Sequence, residues 1–362
     1  MKNRDSISFL EAAYRDIFPQ DSLLRDQATA HLEQLTMPHW ALGRLMDLAV
    51  DLAGMTRSVD PPVARKTVVV MVGDHGVTAE GVSKYPSEVT AQMVYNFIAG
   101  GAGINALARQ VGADVKIVDM GTAADFDELV GNGKIISKKI GKGTENIALG
   151  PAMTRTHAVL AVEAGIEVAN DLADTVDVFG TGDMGIGNTT PSTAVVAAIT
   201  GKPVAELAGR GTGLDDDGLA KKIQVIEQAL DVNRPDGKDG MDVLAKVGGF
   251  EIAGIAGLIL GAAANRKPII VDGFISTAGA LIAHSLEPFV RDYIICAHRS
   301  VEPGHCAMHE KLGCDPLLDL NMRLGEGTGA ALAMNLVDAA KAILTEVATF
   351  EDAGVTGTPV EE

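Results

Sequence analysis

The chain has 362 residues, of which 47% are hydrophobic, enough for one large core and a smaller helical lobe. Its formal net charge is −18, from 48 acidic and 30 basic residues, and it has no basic stripe, so nucleic-acid binding is disfavoured. Aromatic residues make up only 4% of the chain, whereas glycine occurs 41 times. This composition suits closely packed elements and loops that lie against a ligand.

The sequence has no segment that we expect to enter a membrane or a secretory pathway. Residues 1–18 carry three acidic residues and lack the apolar core of a signal peptide. The longest apolar stretch, residues 252–264, is interrupted by glycines and is shorter than the roughly 20 residues that a membrane span needs. The three cysteines, at positions 296, 306 and 314, fit a reducing compartment without a disulfide framework. We therefore expect a cytoplasmic protein.

The first part of the chain is predicted to be helical. Residues 6–17 and 22–35 form two candidate helices that end before prolines, and residues 42–52 have apolar side chains at helical spacing. Residues 58–62 contain two prolines and are predicted to be a linker. Residues 329–350 form a long candidate helix, which we expect to pack on the N-terminal helices.

Between these ends, short apolar runs alternate with helical patterns. We predict buried parallel strands at residues 67–72, 115–120, 176–179, 268–271 and 293–296. Helices are predicted between them at residues 88–110, 154–173 and 216–230. This alternation indicates an α/β fold, a doubly wound parallel sheet with helices on both faces. Small or polar residues follow every strand, and because ligands bind beyond the carboxyl ends of such strands, these loops together predict a site.

A glycine-rich segment, residues 180–192, follows the third predicted strand and precedes a helix predicted at residues 193–199. Glycines let the backbone approach an anion, and free amides at a helix start point towards it, so the segment predicts a phosphate site. Thr190 and Pro191 are expected to be the N-cap and the first helical residue. Asp183 would repel a phosphate, so we expect it to contact a sugar hydroxyl or a cationic ring instead.

A second glycine-rich segment, residues 209–214, precedes an aspartate run at residues 215–217 and a helix that carries Lys222. The aspartates are expected to cap this helix and interact with its N-terminal dipole, in preference to binding a metal–diphosphate group. Lys222 lies close enough to the helix start to reach a phosphate. From the pattern alone, an ordinary surface lysine is the commoner case.

Histidines and cysteines are concentrated between residues 298 and 314, at His298, His305, Cys306, His309 and Cys314. His305 and His309 have the i, i+4 spacing that can share a metal ion. Because no C-x-x-C pair accompanies them, polar residues beside a cleft are the simpler interpretation, and we expect no metal site.

Glu326 lies between two glycines, immediately before the long C-terminal helix. Thr328 can cap that helix, which leaves the glutamate free to point into a cleft. A helix dipole favours the ionised form of the glutamate and burial raises its pKa, so Glu326 is a candidate general base. A purely structural role is an equal alternative at this point.

Taken together, these motifs resemble those of one known family, the nicotinate-nucleotide:dimethylbenzimidazole phosphoribosyltransferases, which act in assembling the lower ligand of cobalamin. The resemblance extends along nearly the whole chain and depends on the combination of motifs. They lie at residues 42–45, 73–94, 182–191, 209–213, 271–274, 298–300 and 325–327.

The resemblance implies transfer of phosphoribose from nicotinate mononucleotide to 5,6-dimethylbenzimidazole, giving α-ribazole 5′-phosphate and nicotinate with inversion at the sugar carbon. It implies that Glu326 is the catalytic base and that Asp183 is a second catalytic carboxylate, placed to stabilise positive charge that develops on the ribose. Well-known members carry glutamate at the position of Asp183. It assigns the aromatic base to Lys84, Gln92 and Leu324. It assigns the phosphate and ribose to Gly182, Gly185, Ile186, Gly187, Asn188, Thr189, Gly211 and Lys222.

The resemblance implies no cofactor and no metal ion, because the pyridinium of nicotinate mononucleotide departs as a neutral ring nitrogen. It implies a Rossmann-like large domain, here residues 61–327, and a small helical domain formed by residues 1–60 with 328–362. It also implies a homodimer whose other partners are the two small-molecule substrates.

Three alternatives stay open. The first alternative is the same transfer to another acceptor, since some relatives accept adenine or a phenolic compound. The polar side chain of Gln92 favours a nitrogen heterocycle as the acceptor. A dinucleotide- or S-adenosylmethionine-binding α/β protein would also use a glycine-rich loop, but no acidic residue ends a following strand at the expected spacing of about 20 residues. A non-catalytic protein that binds an α-ribazole-like ligand is disfavoured by the intact Glu326.

Overall fold

The computed structural model describes residues 8–356, in which helices predominate. The N-terminal helices are α1 (Phe9–Asp16), α2 (Ser22–Leu32) and α3 (Arg44–Thr56). The central helices are α4 (Glu88–Ala99), α5 (Gly103–Val111), α6 (Asp127–Gly131), α7 (Arg155–Leu172), α8 (Thr189–Thr200), α9 (Val204–Leu207), α10 (Asp216–Asn233), α11 (Gly240–Val247), α12 (Phe250–Ala264), α13 (Phe274–Leu286) and α14 (Gly304–Leu312). The last are α15 (Thr328–Glu346) and α16 (Phe350–Ala353). The predicted helix start at residue 6 lies outside the described residues.

Six strands in this part of the chain form one parallel sheet. They are β1 (Lys66–Gly73), β2 (Asp114–Gly121), β3 (Ile136–Ser137), β4 (Val178–Met184), β5 (Ile269–Val271) and β6 (Ile294–Cys296). Their order is β3-β2-β1-β4-β5-β6, that of a Rossmann-type sheet whose topological switch point lies between β1 and β4. Every residue of β1 is buried, which explains its continuous apolar run. The predicted α/β fold class is confirmed.

Helices cover the sheet closely because glycine allows their backbones to touch. α12 lies against β1, β2, β4 and β5 and packs on α7, while α15 packs against β1, β4 and β5. A Cβ added at Gly257 of α12 would lie 1.9 Å from the carbonyl oxygen of Val162 on α7. α12 contains the apolar stretch noted in the sequence. Among residues 8–356, no helix has both the length and the apolar character that crossing a membrane requires.

The structure corrects the bounds of the first glycine-rich segment. β4 continues to Met184, so the first residues of that segment are strand, and the loop proper covers only residues 185–188. α8 begins at Thr189, which places Thr190 and Pro191 inside its first turn instead of at the N-cap and first helical position. Parallel pairing of β4 with β1 extends this strand into the glycines, because their backbone groups pair as well as any other residue's.

Two further predictions are wrong in detail. The helix predicted at residues 88–110 is divided into α4 and α5 at Gly100, whose φ of +77° ends α4 in a left-handed C-cap. Residues 298–300 were predicted to form a loop, but they form β7 (His298–Ser300), which pairs in parallel with β8 (Leu318–Met322). This second sheet carries few continuous apolar residues, so the pattern gave no strand signal.

The two ends of the described chain are in contact. α15 packs on α3, and backbone amides of Thr36 and Phe350 donate to the carbonyl oxygens of Ala348 (3.0 Å) and Gln34 (2.9 Å). The expected packing of the C-terminal helix on the N-terminal helices is therefore confirmed. α1, by contrast, packs on α7 and α12. The division into two domains at residues 60 and 328 remains a prediction.

Cys296 and Cys314 are joined as a disulfide, with their Cα atoms 6.7 Å apart, and Cys306 is free and exposed. The expectation of a chain without a disulfide is thus wrong for this pair. The two cysteines belong to the end of β6 and to the loop after α14. Only the tertiary fold brings these segments together, so their spacing in the sequence carried no signal.

Candidate active site

A cavity of about 640 Å³ lies beyond the carboxyl end of β4, beside the switch point of the sheet. Its volume is within the range of roughly 300–1000 Å³ that is usual for small-molecule sites. The segments that line it include residues 82–93, 183–189, 211–212, 273–275, 298–302 and 323–326. The predicted convergence is therefore confirmed for the segments that follow β4, β5 and β6. Residues 73–76, directly after β1, and residues 121–122, after β2, do not line the cavity, whereas residues 82, 83 and 85, further along the connection from β1 to α4, do.

The loop between β4 and α8 supplies the candidate phosphate contacts. The predicted residues that line the cavity here are Gly185, Ile186, Gly187, Asn188 and Thr189, so the first turn of α8 opens onto it. Glycine is required at 185 because a Cβ there would lie 2.4 Å from the carbonyl oxygen of Gly73. It is favoured at 187 because φ is +87°. At these two positions the backbone therefore borders the cavity without a side chain.

Lys222 lies directly beneath this loop and is fully buried, so it is not the surface lysine that the pattern alone favoured. Its Nζ atom donates to Thr189 Oγ1 (2.7 Å) and to the carbonyl oxygen of Gly209 (3.2 Å). Burial lowers the pKa of Lys222 to about 8, although the charge of Glu302 acts in the opposite direction. The ammonium group is separated from the cavity by Thr189 and Gly211, both of which line it.

Glu302 is a cavity residue that sequence reasoning missed. Its Oε1 atom accepts from the backbone amide of Gly211 (3.1 Å) and so holds the second glycine-rich segment in place. Its Oε2 atom is buried and has no hydrogen-bond partner among residues 8–356. A free acceptor at the cavity wall suits a ligand hydroxyl group. The only signal in the sequence was its position just after residues 298–300.

Glu326 lines the cavity and is 7% exposed. Its Oε2 atom accepts from the backbone amide of Ile104 (3.2 Å), so the carboxylate lies at the N-terminus of α5. Burial raises the pKa of Glu326, while the amides of α5 oppose this effect. Its φ is +62°, uncommon for a residue with a side chain, and both neighbours, Gly325 and Gly327, also have positive φ.

Asp272 fixes the loop that carries the glutamate. Its Oδ1 atom accepts from the amides of Gly329 (2.6 Å) and Ala330 (3.0 Å), and its Oδ2 atom accepts from Gly327 (3.1 Å). Asp272, the residue that follows β5, therefore caps α15. The prediction that Thr328 caps this helix is wrong, because its hydroxyl donates to the carbonyl oxygen of Gly325 instead.

Asp183 faces the same cavity near the end of β4. Its Oδ2 atom accepts from the side-chain amide of Asn188 (3.0 Å), and its Oδ1 atom is buried without a partner in the described residues. Burial, and then the charges of Asp272, Glu251 and Glu326, raise the pKa of Asp183 well above its usual value. This shift reduces the tendency of Asp183 to carry the charge that would repel a neighbouring phosphate.

Two predicted glycines support the site from different positions. Gly182 does not line the cavity, and a Cβ there would lie 2.5 Å from the carbonyl oxygen of Glu326, so it lets the loop of Glu326 rest on β4. Gly211 does line the cavity, and a Cβ there would lie 2.9 Å from Thr189 Oγ1.

One wall of the cavity is apolar and is formed by Val82, Tyr85, Val89 and Met93. Leu324 lies at the rim and is 60% exposed. Lys84 and Gln92 are exposed and do not line the cavity, whereas their chain neighbours Tyr85 and Met93 do. The structure therefore does not bring Lys84 and Gln92 together with the other candidates. Their assignment to the aromatic base remains a prediction.

A buried ion pair lies beneath the phosphate loop. His75 Nε2 is 2.7 Å from Glu251 Oε1, and both side chains are almost fully buried. Burial acts to lower the pKa of His75, but the charge and the hydrogen bond of Glu251 outweigh it, so the pKa is raised. A Cβ at Gly185 would lie 3.2 Å from His75 Nε2, so the pair is packed directly under that glycine. Sequence reasoning gave neither residue a role.

The comparisons with known proteins agree with this architecture. A phosphoribosyltransferase family profile matches residues 17–355. The chain is 62% identical to the nicotinate-nucleotide–dimethylbenzimidazole phosphoribosyltransferase of Desulfotalea psychrophila, with 97% of this chain and 99% of that protein covered. It is 60% identical to the enzyme of the same name from Syntrophotalea carbinolica, with 96% and 99% covered.

Solved structures give the same result. A crystal structure of nicotinate-nucleotide-dimethylbenzimidazole phosphoribosyltransferase from Thermus thermophilus has a TM-score of 0.88 and 43% sequence identity, and covers 93% of this chain and 100% of that one. The Rossmann order of the strands, the cavity at the switch point and these similarities lead to one conclusion. The chain belongs to the family of nicotinate-nucleotide:dimethylbenzimidazole phosphoribosyltransferases.

Proposed function

We propose that this chain transfers phosphoribose from nicotinate mononucleotide to 5,6-dimethylbenzimidazole, giving α-ribazole 5′-phosphate and nicotinate. The observation that carries the proposal is one shared cavity, which holds a buried glutamate, a glycine-rich anion loop at a helix start and an apolar wall. The names of the similar enzymes identify the two substrates. The family's place in cobalamin lower-ligand assembly supports the same role here.

The phosphate of the mononucleotide binds at residues 185–189, where the first turn of α8 and the buried charge of Lys222 favour an anion. The orphaned Oε2 atom of Glu302 is placed to accept from a ribose hydroxyl group. The bicyclic base packs on the apolar wall that Met93 and Tyr85 help to form.

Glu326 then acts as the general base. One ring nitrogen of the benzimidazole attacks the anomeric carbon from the face opposite nicotinate, which inverts the configuration, and Glu326 accepts the proton from the other nitrogen. Nicotinate leaves with the bonding electrons of the glycosidic bond and becomes neutral at its ring nitrogen. Burial raises the pKa of Glu326 and so brings it closer to the pKa of the benzimidazole N–H group from which Glu326 removes the proton. Asp183 hydrogen-bonds the sugar or the ring.

Another base, such as adenine or a phenolic compound, stays the alternative acceptor. Gln92 is exposed and does not line the cavity, so it no longer favours a nitrogen heterocycle over a phenol. The names of the similar enzymes favour dimethylbenzimidazole. We also propose a homodimer in the cytoplasm, as the resemblance to this family implies.

Nicotinate release from nicotinate mononucleotide, with and without dimethylbenzimidazole, tests the proposal. We expect release that depends on the acceptor base and falls at least about 1000-fold in Glu326→Gln, since this variant is nearly isosteric but cannot accept the proton. The melting temperature of the variant is the control for its fold. No release with dimethylbenzimidazole, adenine or p-cresol would contradict the transferase assignment, and faster turnover of p-cresol would replace the proposed acceptor.

A further inference from the structure

All three cysteines of the chain lie together behind the active-site wall. Cys296 ends β6, Cys306 lies on α14, and Cys314 follows that helix. Cys306 and Cys314 line a second cavity of about 310 Å³, which His309 also lines. β7 separates this cavity from the active site, because residues 298 and 300 face the active site while residue 299 faces the second cavity.

From this cluster we infer that the reduced chain binds a thiophilic divalent cation, of which zinc is the natural example, through Cys296, His309 and Cys314. One ligand atom from each of the three residues lies within 4.8 Å of the others. A tetrahedral zinc site has Zn–S distances of about 2.3 Å and Zn–N distances of about 2.0 Å, so its ligand atoms lie roughly 3.5–4 Å apart. Small side-chain rotations therefore suffice to form the site.

The second cavity provides access for the ion and for a fourth ligand. His309 and Cys314 line this cavity, so a water molecule can complete the tetrahedral coordination from its open side. Cys306 also lines the cavity, but its sulfur does not belong to the group of ligand atoms that lie within 4.8 Å of one another. Two thiolates already balance the charge of the divalent ion.

Hydrogen bonds hold the loop around Cys314 in place independently of any bond to sulfur. The guanidinium group of Arg44 donates to the carbonyl oxygens of Asp315 (2.7 Å) and Pro316 (2.8 Å). Arg291 donates to those of Leu312 and Gly313, both at 2.9 Å. Because neighbouring carbonyls are anchored on both sides, Cys314 stays beside Cys296 when both carry thiols.

His305 is excluded as a ligand by its own contacts. Its Nδ1 atom accepts from the amide of Ser300 (2.8 Å), and its Nε2 atom lies 2.9 Å from Thr277 Oγ1. Both ring nitrogens are thus already used inside the core. The i, i+4 pair suggested by the sequence is therefore replaced by a set drawn from β6, α14 and the following loop.

The disulfide and the metal site are alternative states of the same two sulfur atoms. Two thiols that bind a divalent ion release two protons and undergo no oxidation, whereas the disulfide has lost two electrons as well. In the metal-bound state the ion joins the end of β6 to the loop before β8, which leads on to the loop of Glu326. It lies behind β7 and contacts no substrate, so its role is to hold this wall in position.

Metal analysis of the full chain, purified with a phosphine reductant and without chelator, tests the inference. We expect about one zinc ion per chain by mass spectrometry, and a thiolate-to-cobalt charge-transfer band when cobalt replaces it. Cys296→Ser, Cys314→Ser and His309→Ala should each weaken binding at least about 10-fold. His157→Ala, an exposed histidine on α7, is the matched control and should bind normally. A reduced wild-type chain without metal or charge-transfer band overturns the inference.

Two further readouts separate binding from folding and from catalysis. Circular dichroism must show that each variant stays folded, and a chelator competition on the folded wild type gives a second measure that needs no mutation. Alkylation in intact cells should find Cys296 and Cys314 as free or metal-protected thiols, and a quantitative disulfide there would overturn the inference. Metal content is measured without substrates, so a failure of the proposed transferase activity would not change the result.

Discussion

Replacing Lys222 by methionine is expected to stabilise the ligand-free protein. Burial lowers the pKa of Lys222 from 10.5 to about 8. One pKa unit corresponds to about 1.4 kcal/mol, so holding this lysine charged at neutral pH costs about 3 kcal/mol of unfolding free energy. Methionine has a similar length and no charge, but it gives up the two hydrogen bonds to Thr189 and Gly209, worth about 1 kcal/mol each. The net gain should be about 1 kcal/mol.

The gain should depend on pH in a defined direction. A lysine whose folded pKa is lowered destabilises the protein fully below that pKa, and the cost disappears as the pH rises towards the unfolded value. The difference between Lys222→Met and wild type should therefore be complete at pH 7 and shrink between about pH 8 and 10.5. Urea unfolding at several pH values measures it. Lys221→Met, at the exposed neighbouring position, is the control and should change little.

The same substitution should weaken use of the nucleotide. The buried charge of Lys222 acts on the phosphate from behind Thr189 and Gly211, so its removal should lower kcat/KM for nicotinate mononucleotide roughly 10-fold. In the wild type, kcat/KM should also decline above about pH 8 as Lys222 loses its proton, and this decline should be absent in the variant. A variant that is less stable than wild type, or that keeps the same alkaline decline, would refute the reasoning.

Three further predictions concern other parts of the molecule. Because burial raises the pKa of Glu326, kcat should begin to fall, as the pH is lowered, at a pH above the usual glutamate pKa of 4.5. Glu326→Gln should lose this decline at low pH when nicotinate release is measured across the pH range. Gly257→Ala should cost about 1–3 kcal/mol or more in urea unfolding, since its Cβ would overlap the α7 backbone, whereas Gly131→Ala has open space and should be neutral. His75→Gln should lower the free energy of unfolding by about 3–5 kcal/mol, because Glu251 loses its charged partner. The folded pKa of His75 is raised, so this loss should be complete below about pH 6.5 and should shrink as the pH rises through the folded pKa. An effect of His75→Gln that stays constant across that range would count against a charged pair.

Much of the fold was predictable because its main strands are buried on both faces. β1 contains a continuous apolar run, and β2 is mostly apolar in its buried half, so both strands can be predicted without knowledge of their neighbours. β7 and β8 were missed because they are short and contain polar or exposed residues, so only their pairing makes them strands. The extension of β4 through its glycines has the same origin, since pairing with β1 overrides local propensity.

Within the site, the residues that were found carry a local signal. Glu326 stands between two glycines, and the loop after β4 combines glycines with a helix start. Glu302 and the capping role of Asp272 depend on partners far away in the chain, which no local pattern encodes. The prediction for the wall that binds the base named Gln92, whereas its neighbour Met93 lines the cavity. The reason is that α4 turns residues 89 and 93 towards the cavity and leaves Gln92 exposed.

The position of α15 near the end of the sequence has a consequence for folding during synthesis on the ribosome. This helix begins at residue 328 and covers β1, β4 and β5, whose residues are all synthesised earlier. Until the last part of the chain has left the exit tunnel, the part of the sheet face that α15 covers on β1, β4 and β5 is exposed, and the loop of Glu326 has no helix to anchor it. A chain whose translation stops before α15 therefore exposes apolar sheet surface, which makes it a substrate for chaperones and proteases.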